Sequence, residues 1–237
     1  MGPFVLKRRL VAAAAERYRS AGRYARHFAR AKLAADPIFT AILEQGLIPD
    51  RARILDLGCG QGLLAAWLLA AEECRRAGAW CGAWPEPPRA WSFSGIERLP
   101  REVERARSAL GARAAVEVGD IRSATFGTAD VVVLLDVLHY LDPTSQEAVL
   151  AQVRAALSRS GVLLLRIGDA SAGLAFGFSN WVDRTVLLLR GRGWVRLYCR
   201  PLRRWIELLE RLGFRTDAIP MSARTPFANV LLIAHPR

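Results

Sequence analysis

The seven residues Asp56-Leu57-Gly58-Cys59-Gly60-Gln61-Gly62 constrain this chain most, because they join an apolar run of strand length at 53–57 directly to a helical apolar pattern at 63–76. Glycine accepts left-handed backbone conformations without steric cost and lets the main chain approach a ligand with no Cβ in the way. A buried strand leaving through such a turn into a helix is the opening unit of an α/β sheet, and ligands of these sheets bind outside the carboxyl ends of the strands. The spacing differs from the dinucleotide fingerprint, whose helix is aimed at a pyrophosphate. Here an acid stands two residues before the first glycine, and three glycines alternate.

Further apolar runs at 92–97, 115–118, 130–136, 161–167, 215–220 and 229–234 complete a set of seven predicted strands. Helical patterns at 63–76, 101–110, 145–157 and 202–212, the last stopped by Gly213, place helices on both faces of a mostly parallel sheet. The 237 residues suit one α/β domain. Its expected parts are an N-terminal helical cap (1–50), a cofactor-binding core (51–168), a substrate lid (169–200) and a C-terminal helix with the last two strands (201–237). Two stretches interrupt the alternation. Pro85, Pro87 and Pro88 exclude a helix over 78–89 and predict a surface excursion carrying Trp80 and Trp84. The segment 169–199, with Phe176, Phe178, Trp181, Trp194 and Tyr198, reads as a lid rather than a connector.

Apolar residues make up 52% of the chain, which excludes a disordered polymer. Lys and Arg number 34 against 22 acids, a net charge of +12, and only Lys7 and Lys32 are lysines. Nine basic residues fall within 7–32 against the single acid Glu16, and seven fall within 184–204 against none. Basic faces of this kind attract nucleic acid, an anionic membrane surface or an acidic carrier protein, and a solvated face is the plain alternative. Residues 4–32 can be drawn as a basic amphipathic helix pair suited to peripheral membrane contact. Cys59, Cys74, Cys81 and Cys199 lack the close spacing of zinc or redox motifs, so free thiols, no metal site and a reducing, cytoplasmic location are expected. The apolar stretch 10–15 is too short for a secretory signal, and no uninterrupted run reaches the roughly 18 residues of a spanning helix.

The acid and alternating glycines resemble the first motif of class I S-adenosylmethionine-dependent methyltransferases, and the resemblance continues at successive strand ends. It implies a Rossmann-like seven-stranded sheet with the last strand antiparallel. It also implies S-adenosylmethionine as cofactor, held by Asp56, Gly58, Gly60 and Gly62. Glu97, closing Gly95-Ile96-Glu97, would take both ribose hydroxyls on its two carboxylate oxygens. It lies 37 residues after Gly60, more than is usual in the family, and the Trp and Pro excursion accounts for the excess. Asp120 and Ile121 of Gly119-Asp120-Ile121 would meet the adenine, and Asp136 ends the strand before Val137-Leu138-His139-Tyr140, where such enzymes meet cofactor and acceptor. Singly, Asp120 reads equally as a turn cap and Asp136 as a helix cap. His139 is the candidate base, because its neutral form is available near pH 7. A satisfied histidine at a helix start is its structural alternative, and Tyr140 would stack on an aromatic acceptor or pack.

Tyr18-Arg19-Ser20-Ala21-Gly22-Arg23-Tyr24, Ser179-Asn180-Trp181, Tyr198-Cys199-Arg200-Pro201 and Thr225-Pro226-Phe227-Ala228-Asn229 are similar to methyltransferases accompanying bacterial aryl polyene pigment biosynthesis. That resemblance implies a small aromatic or acyl acceptor, such as an aryl head group, free or on an acyl carrier protein. Phe176, Phe178, Trp181 and Phe227 would wall its pocket, with Arg184, Arg200 or Arg224 as the anion anchor. Rival readings are a nucleic-acid methyltransferase, a non-catalytic module docking on an acidic carrier, and a nicotinamide dehydrogenase. The first lacks an Asn-Pro-Pro-Tyr type sequence after the fourth strand, and nothing resembles a hydride-transfer site.

Overall fold

The computed structural model describes residues 1–170, 197–221 and 229–237. Of the expected lid and anchor residues, Phe176, Phe178, Trp181, Arg184, Trp194, Arg224 and Phe227 lie outside these. Seven strands among the described residues form one sheet in the order β3-β2-β1-β4-β5-β7-β6: β1 (Arg53–Leu57), β2 (Ser92–Glu97), β3 (Ala115–Val118), β4 (Ala129–Leu135), β5 (Leu157–Gly168), β6 (Phe214–Pro220) and β7 (Asn229–Pro236). The chain divides into two compact units, residues 1–123 and 124–237.

In the first unit, α1 (Pro3–Glu16), α2 (Arg23–Ala35) and α3 (Pro37–Glu44) precede β1, α4 (Leu63–Arg76) follows it, and α5 (Pro100–Leu110) joins β2 to β3. The expected helix pair is therefore present with a third helix behind it, started by the Asp36 side chain, which accepts from the Ile38 N–H. Leu6, Leu10 and Ala14 recur every fourth residue and are fully buried, so α1 lays one stripe into the core. Trp67 on α4 is fully buried too, with Nε1 donating to the Phe39 carbonyl at 2.7 Å. β1, β2 and β3 pair in parallel. The 78–91 excursion is irregular, as its prolines require, but it is pinned. Trp84 and Trp91 are buried, and the Asp50 carboxylate accepts from the Arg89 N–H at 2.8 Å.

In the second unit, β4 and β5 are parallel, while β7 runs antiparallel to both β5 and β6. α6 (Pro143–Ala156) starts two residues earlier than its pattern suggested, because Asp142 caps it by accepting from the Thr144 and Ser145 N–H groups. β5 begins at Leu157 rather than 161. Leu157 pairs with Ala129 and Val162 with Val131, so the polar stretch between them bulges out of the ladder instead of ending the strand. β4 stops at Leu135, one residue short of the predicted end, because Asp136 adopts φ +59°. α7 (Leu202–Arg211) buries Trp205, Leu208 and Leu209, and Gly213 at φ +80° terminates it.

Gly95 of β2 lies flat against the glycine turn, and a Cβ there would sit 2.7 Å from Cys59 Sγ and 3.2 Å from Cys59 Cβ. Gly95→Ala should therefore lower stability by about 1–3 kcal/mol, the usual cost of overpacking. Urea unfolding checks this; an unchanged midpoint would show that the turn yields freely.

Candidate functional site

At the end of β1, Gly58, Gly60 and Gly62 have φ of +78°, +55° and +75°, the left-handed region that disfavours other residues. Three sets of bonds hold this turn. The N–H groups of Gly58 and Cys59 donate to the Ile96 carbonyl, the Gly60 N–H donates to Glu97 Oε2 at 3.1 Å, and the fully buried Tyr18 hydroxyl donates to the Gln61 carbonyl at 2.8 Å. Gln61 Nε2 reciprocates by donating to the Ala25 carbonyl at 3.0 Å. The N-terminal helices thus clamp the turn. Sequence reasoning missed this clamp, since a tyrosine 43 residues upstream carries no local signal.

Asp56 is 5% exposed, and its carboxyl makes no hydrogen bond among the described residues. Burial, and then the neighbouring Glu97 charge, push its carboxyl up to about 7. Glu97 uses Oε1 to accept from the Leu99 N–H at 2.9 Å and Oε2 for Gly60, which fixes both oxygens at the end of β2 and leaves further lone pairs. Gln61 Oε1 is buried with no partner among the described residues. A cationic ligand bearing a sulfonium, an ammonium and a vicinal diol, as S-adenosylmethionine does, fits these groups. It would supply the positive charge that Asp56 lacks and the hydroxyl donors that Glu97 can accept.

Beyond β3 the fit is less direct. Ile121 is buried, as an adenine contact would require, but Asp120 is occupied locally. Its carboxylate accepts from the Arg122 N–H at 2.9 Å and from the Arg122 guanidinium, whose hydrogen bonds hold it below the usual carboxylate range. Asp120 thus caps the turn that follows β3, as the sequence also allowed.

In the second unit, Asp136 is bound bidentately by Arg166 of β5, with Nε donating at 2.8 Å and Nη2 to the other oxygen. Arg166 is 2% exposed, so Asp136 neutralises a buried guanidinium. His139 and Tyr140 lie on the single 3₁₀ turn Leu138–Tyr140, their rings 4.1 Å apart. His139 Nε2 is buried and has no partner among the described residues. Burial pushes the imidazole below its ordinary value and Arg166 adds to this, while Asp136 opposes it, so the ring is neutral near pH 7. Arg200, one of the expected anion anchors, is instead committed to protein partners at Gln146, Glu147 and the Pro143 carbonyl.

A family model described as a methyltransferase domain matches residues 24–219. A carboxy-S-adenosyl-L-methionine synthase of Chromohalobacter salexigens is 33% identical over 130 residues, which cover 51% of this chain and 43% of that protein. The chain therefore matches less than half the length of this curated relative. Among solved structures, a TehB-like S-adenosylmethionine-dependent methyltransferase from Corynebacterium glutamicum aligns with a TM-score of 0.58 at 22% identity, covering 90% of this chain and 96% of that one. The mitomycin 7-O-methyltransferase aligns at 0.59 and 24%, covering 90% and 57%. An O-methyltransferase of neocarzinostatin biosynthesis, solved with S-adenosylmethionine and 2-hydroxy-5-methyl naphthoic acid, aligns at 0.58 and 22%, covering 89% and 55%. At these identities the structural likeness speaks for the fold.

Asp56 gives a pH signature. Its folded value of about 7 lies above the unfolded one, so the folded state binds the extra proton. The stability this contributes is complete below the unfolded value, near pH 4, and is lost as pH rises through about 7. Asp56→Asn should remove that decline, read as the wild-type minus variant difference in unfolding free energy across pH. Wild-type affinity for S-adenosylmethionine should rise about tenfold from pH 5.5 to 7 as the carboxylate ionises, and calorimetry on Asp56→Asn should show a flat response.

Proposed function

The chain belongs to the methyltransferase domain family, and from that premise we propose that it is an S-adenosylmethionine-dependent enzyme that methylates a small aromatic acceptor. The acceptor carries a phenolic hydroxyl and is of the aryl head-group type found in polyene pigments, free or on an acyl carrier protein. The observation that carries this reading is the imidazole of His139, which keeps a buried nitrogen without a partner beside the Tyr140 ring. A neutral imidazole accepts a phenolic proton as the oxygen becomes nucleophilic, and an adjacent aromatic ring stacks on an aryl acceptor. An aromatic compound, 2-hydroxy-5-methyl naphthoic acid, is bound in the neocarzinostatin O-methyltransferase structure.

S-adenosylmethionine, when bound, supplies an electrophilic methyl group on a positively charged sulfur. The chain's own residues then have distinct tasks. Asp56, ionised, holds the cationic end, and the left-handed glycine turn brings backbone close to it. Glu97 receives the ribose hydroxyls. Ile121 presents an apolar surface for the base, while Asp120 keeps its loop in shape through Arg122. Asp136 fixes Arg166, and His139 takes the acceptor proton. Alignment of the acceptor oxygen supplies much of the remaining acceleration.

Incubating the enzyme with labelled S-adenosylmethionine and a panel of free and carrier-bound hydroxybenzoates should give O-methylated product. His139→Ala should cut kcat by about a hundredfold or more with cofactor affinity unchanged. No turnover anywhere on the panel would remove the aryl acceptor, and full activity in His139→Ala would return that residue to structure.

We also propose that α1 contacts an anionic membrane surface. Opposite its buried stripe, Phe4 (73% exposed) and Val5 (51%) stand one helical turn from exposed Arg8 and Arg9. Apolar side chains beside guanidinium groups suit the boundary between acyl chains and phosphates. No helix among the described residues is long and apolar enough to cross a membrane, so the contact proposed is peripheral. The protein should sediment with vesicles containing phosphatidylglycerol and not with neutral ones. Replacing Arg8 and Arg9 by Gln should weaken binding about thirtyfold, at roughly 1 kcal/mol per basic residue. Equal sedimentation with neutral vesicles would overturn the proposal.

A further inference from the structure

We propose that Gln146 is a positioning residue for the acceptor side of the reaction, locking the turn that carries His139 to the Tyr198 backbone and the Arg200 guanidinium; this rests on the reading of His139 as the acceptor-side base. Gln146 lies on α6 and is fully buried. The two N–H bonds of its Nε2 are shared among three carbonyls, Leu138 at 3.0 Å, Leu141 at 3.0 Å and Tyr198 at 2.8 Å, and its Oε1 accepts from Arg200 Nε at 2.8 Å. Two of those carbonyls flank His139 and Tyr140 on either side. The carbonyl of His139 itself accepts from the Tyr198 N–H at 2.8 Å. Both ends and the middle of the turn are therefore tied down, and the third carbonyl and the guanidinium belong to the chain that arrives more than fifty residues later.

The residue type follows from what converges on it. Three carbonyl oxygens demand a donor, while the Arg200 guanidinium demands an acceptor, and a carboxamide offers both on one planar group. A carboxylate would face the carbonyls with lone pairs against lone pairs; an ammonium would repel Arg200. Arg200 is in turn braced by Glu147 at 3.0 Å, by the Pro143 carbonyl at 2.9 Å and by the Trp205 ring 5.4 Å below its guanidinium. The strut thus runs from α7 through Arg200 and Gln146 to the His139 turn. Gln146 itself is fully buried and its bond to Leu138 is shielded from water, so losing its carboxamide leaves several polar groups short of a partner together. A displaced turn moves His139, and misplacing a catalytic group by about 1 Å costs up to a hundredfold in rate.

The test uses the full chain with Gln146→Glu, which keeps shape and removes the donor, and Arg200→Gln, which leaves Gln146 in place and removes its brace. Folding and S-adenosylmethionine affinity are measured by calorimetry, and the three histidine ring signals by carbon-edited NMR, with His139 assigned from His139→Asn. The expected result is cofactor affinity within about twofold of wild type, displaced His139 ring signals with His27 and His235 unmoved, and kcat lowered about ten- to a hundredfold with KM changed far less. Unmoved His139 signals in either folded variant would overturn the proposal. If Gln146→Glu does not fold, Arg200→Gln decides alone. If wild type turns over no aryl acceptor, the proposed acceptor falls while the NMR result still judges the strut.

Discussion

A carboxylate buried at the end of β1 with no hydrogen-bond partner among the described residues is the constraint around which the first unit is arranged. Taking an ionised carboxyl out of water without a partner is costly, so the group holds its proton to about pH 7 and its surroundings hold it in place. The left-handed glycines carry the chain away from it, Glu97 ties the turn to β2, and Tyr18 and Ala25 tie it to the helices that precede the sheet. Each of these bonds would be satisfied with or without a ligand. The Asp56 carboxyl is the one of these groups left without a hydrogen-bond partner among the described residues, which makes the turn rigid and the charge the variable.

The second unit treats the corresponding problem in the opposite way. Asp136, also at the carboxyl end of a strand, is answered by the chain itself through Arg166, and it accepts an unfavourable left-handed backbone to do so. Arg166 is buried while Asp136 is half-buried, so the pair adds little net stability, but removing Asp136 leaves a buried guanidinium uncompensated. One acid is thus left without a charged partner among the described residues, and the other is paired with Arg166 at the strand end before the His139 turn.

Much of the fold was legible because its signals are local. The runs that became β1, β2, β3 and α4 fall within the observed limits to the residue, since each is bounded by glycine, proline or charge in adjacent sequence. The departures have long-range causes. Asp136 leaves the strand for a guanidinium 30 residues later, and α6 starts early because of a capping side chain that the apolar period ignores. The candidate site divides the same way. Asp56, Glu97 and the glycines announce themselves by position, whereas Tyr18, Gln146 and Arg200 act across 43 to 54 residues and look like ordinary core or surface choices. Arg200 shows the hazard: a basic residue in an aromatic segment suggested a ligand anchor, and its partners turn out to be the protein's own.

The positive charge has a chemical consequence of its own. All but two of the 34 basic residues are arginine, and the exposed face of α1 carries Arg8 and Arg9. A guanidinium does not lose its proton at any pH a cell reaches. Acetylation, which silences lysine, has almost nothing here to act on. The charge that Arg8 and Arg9 contribute is therefore permanent: salt screens it, but neither acidity nor lysine acetylation removes it.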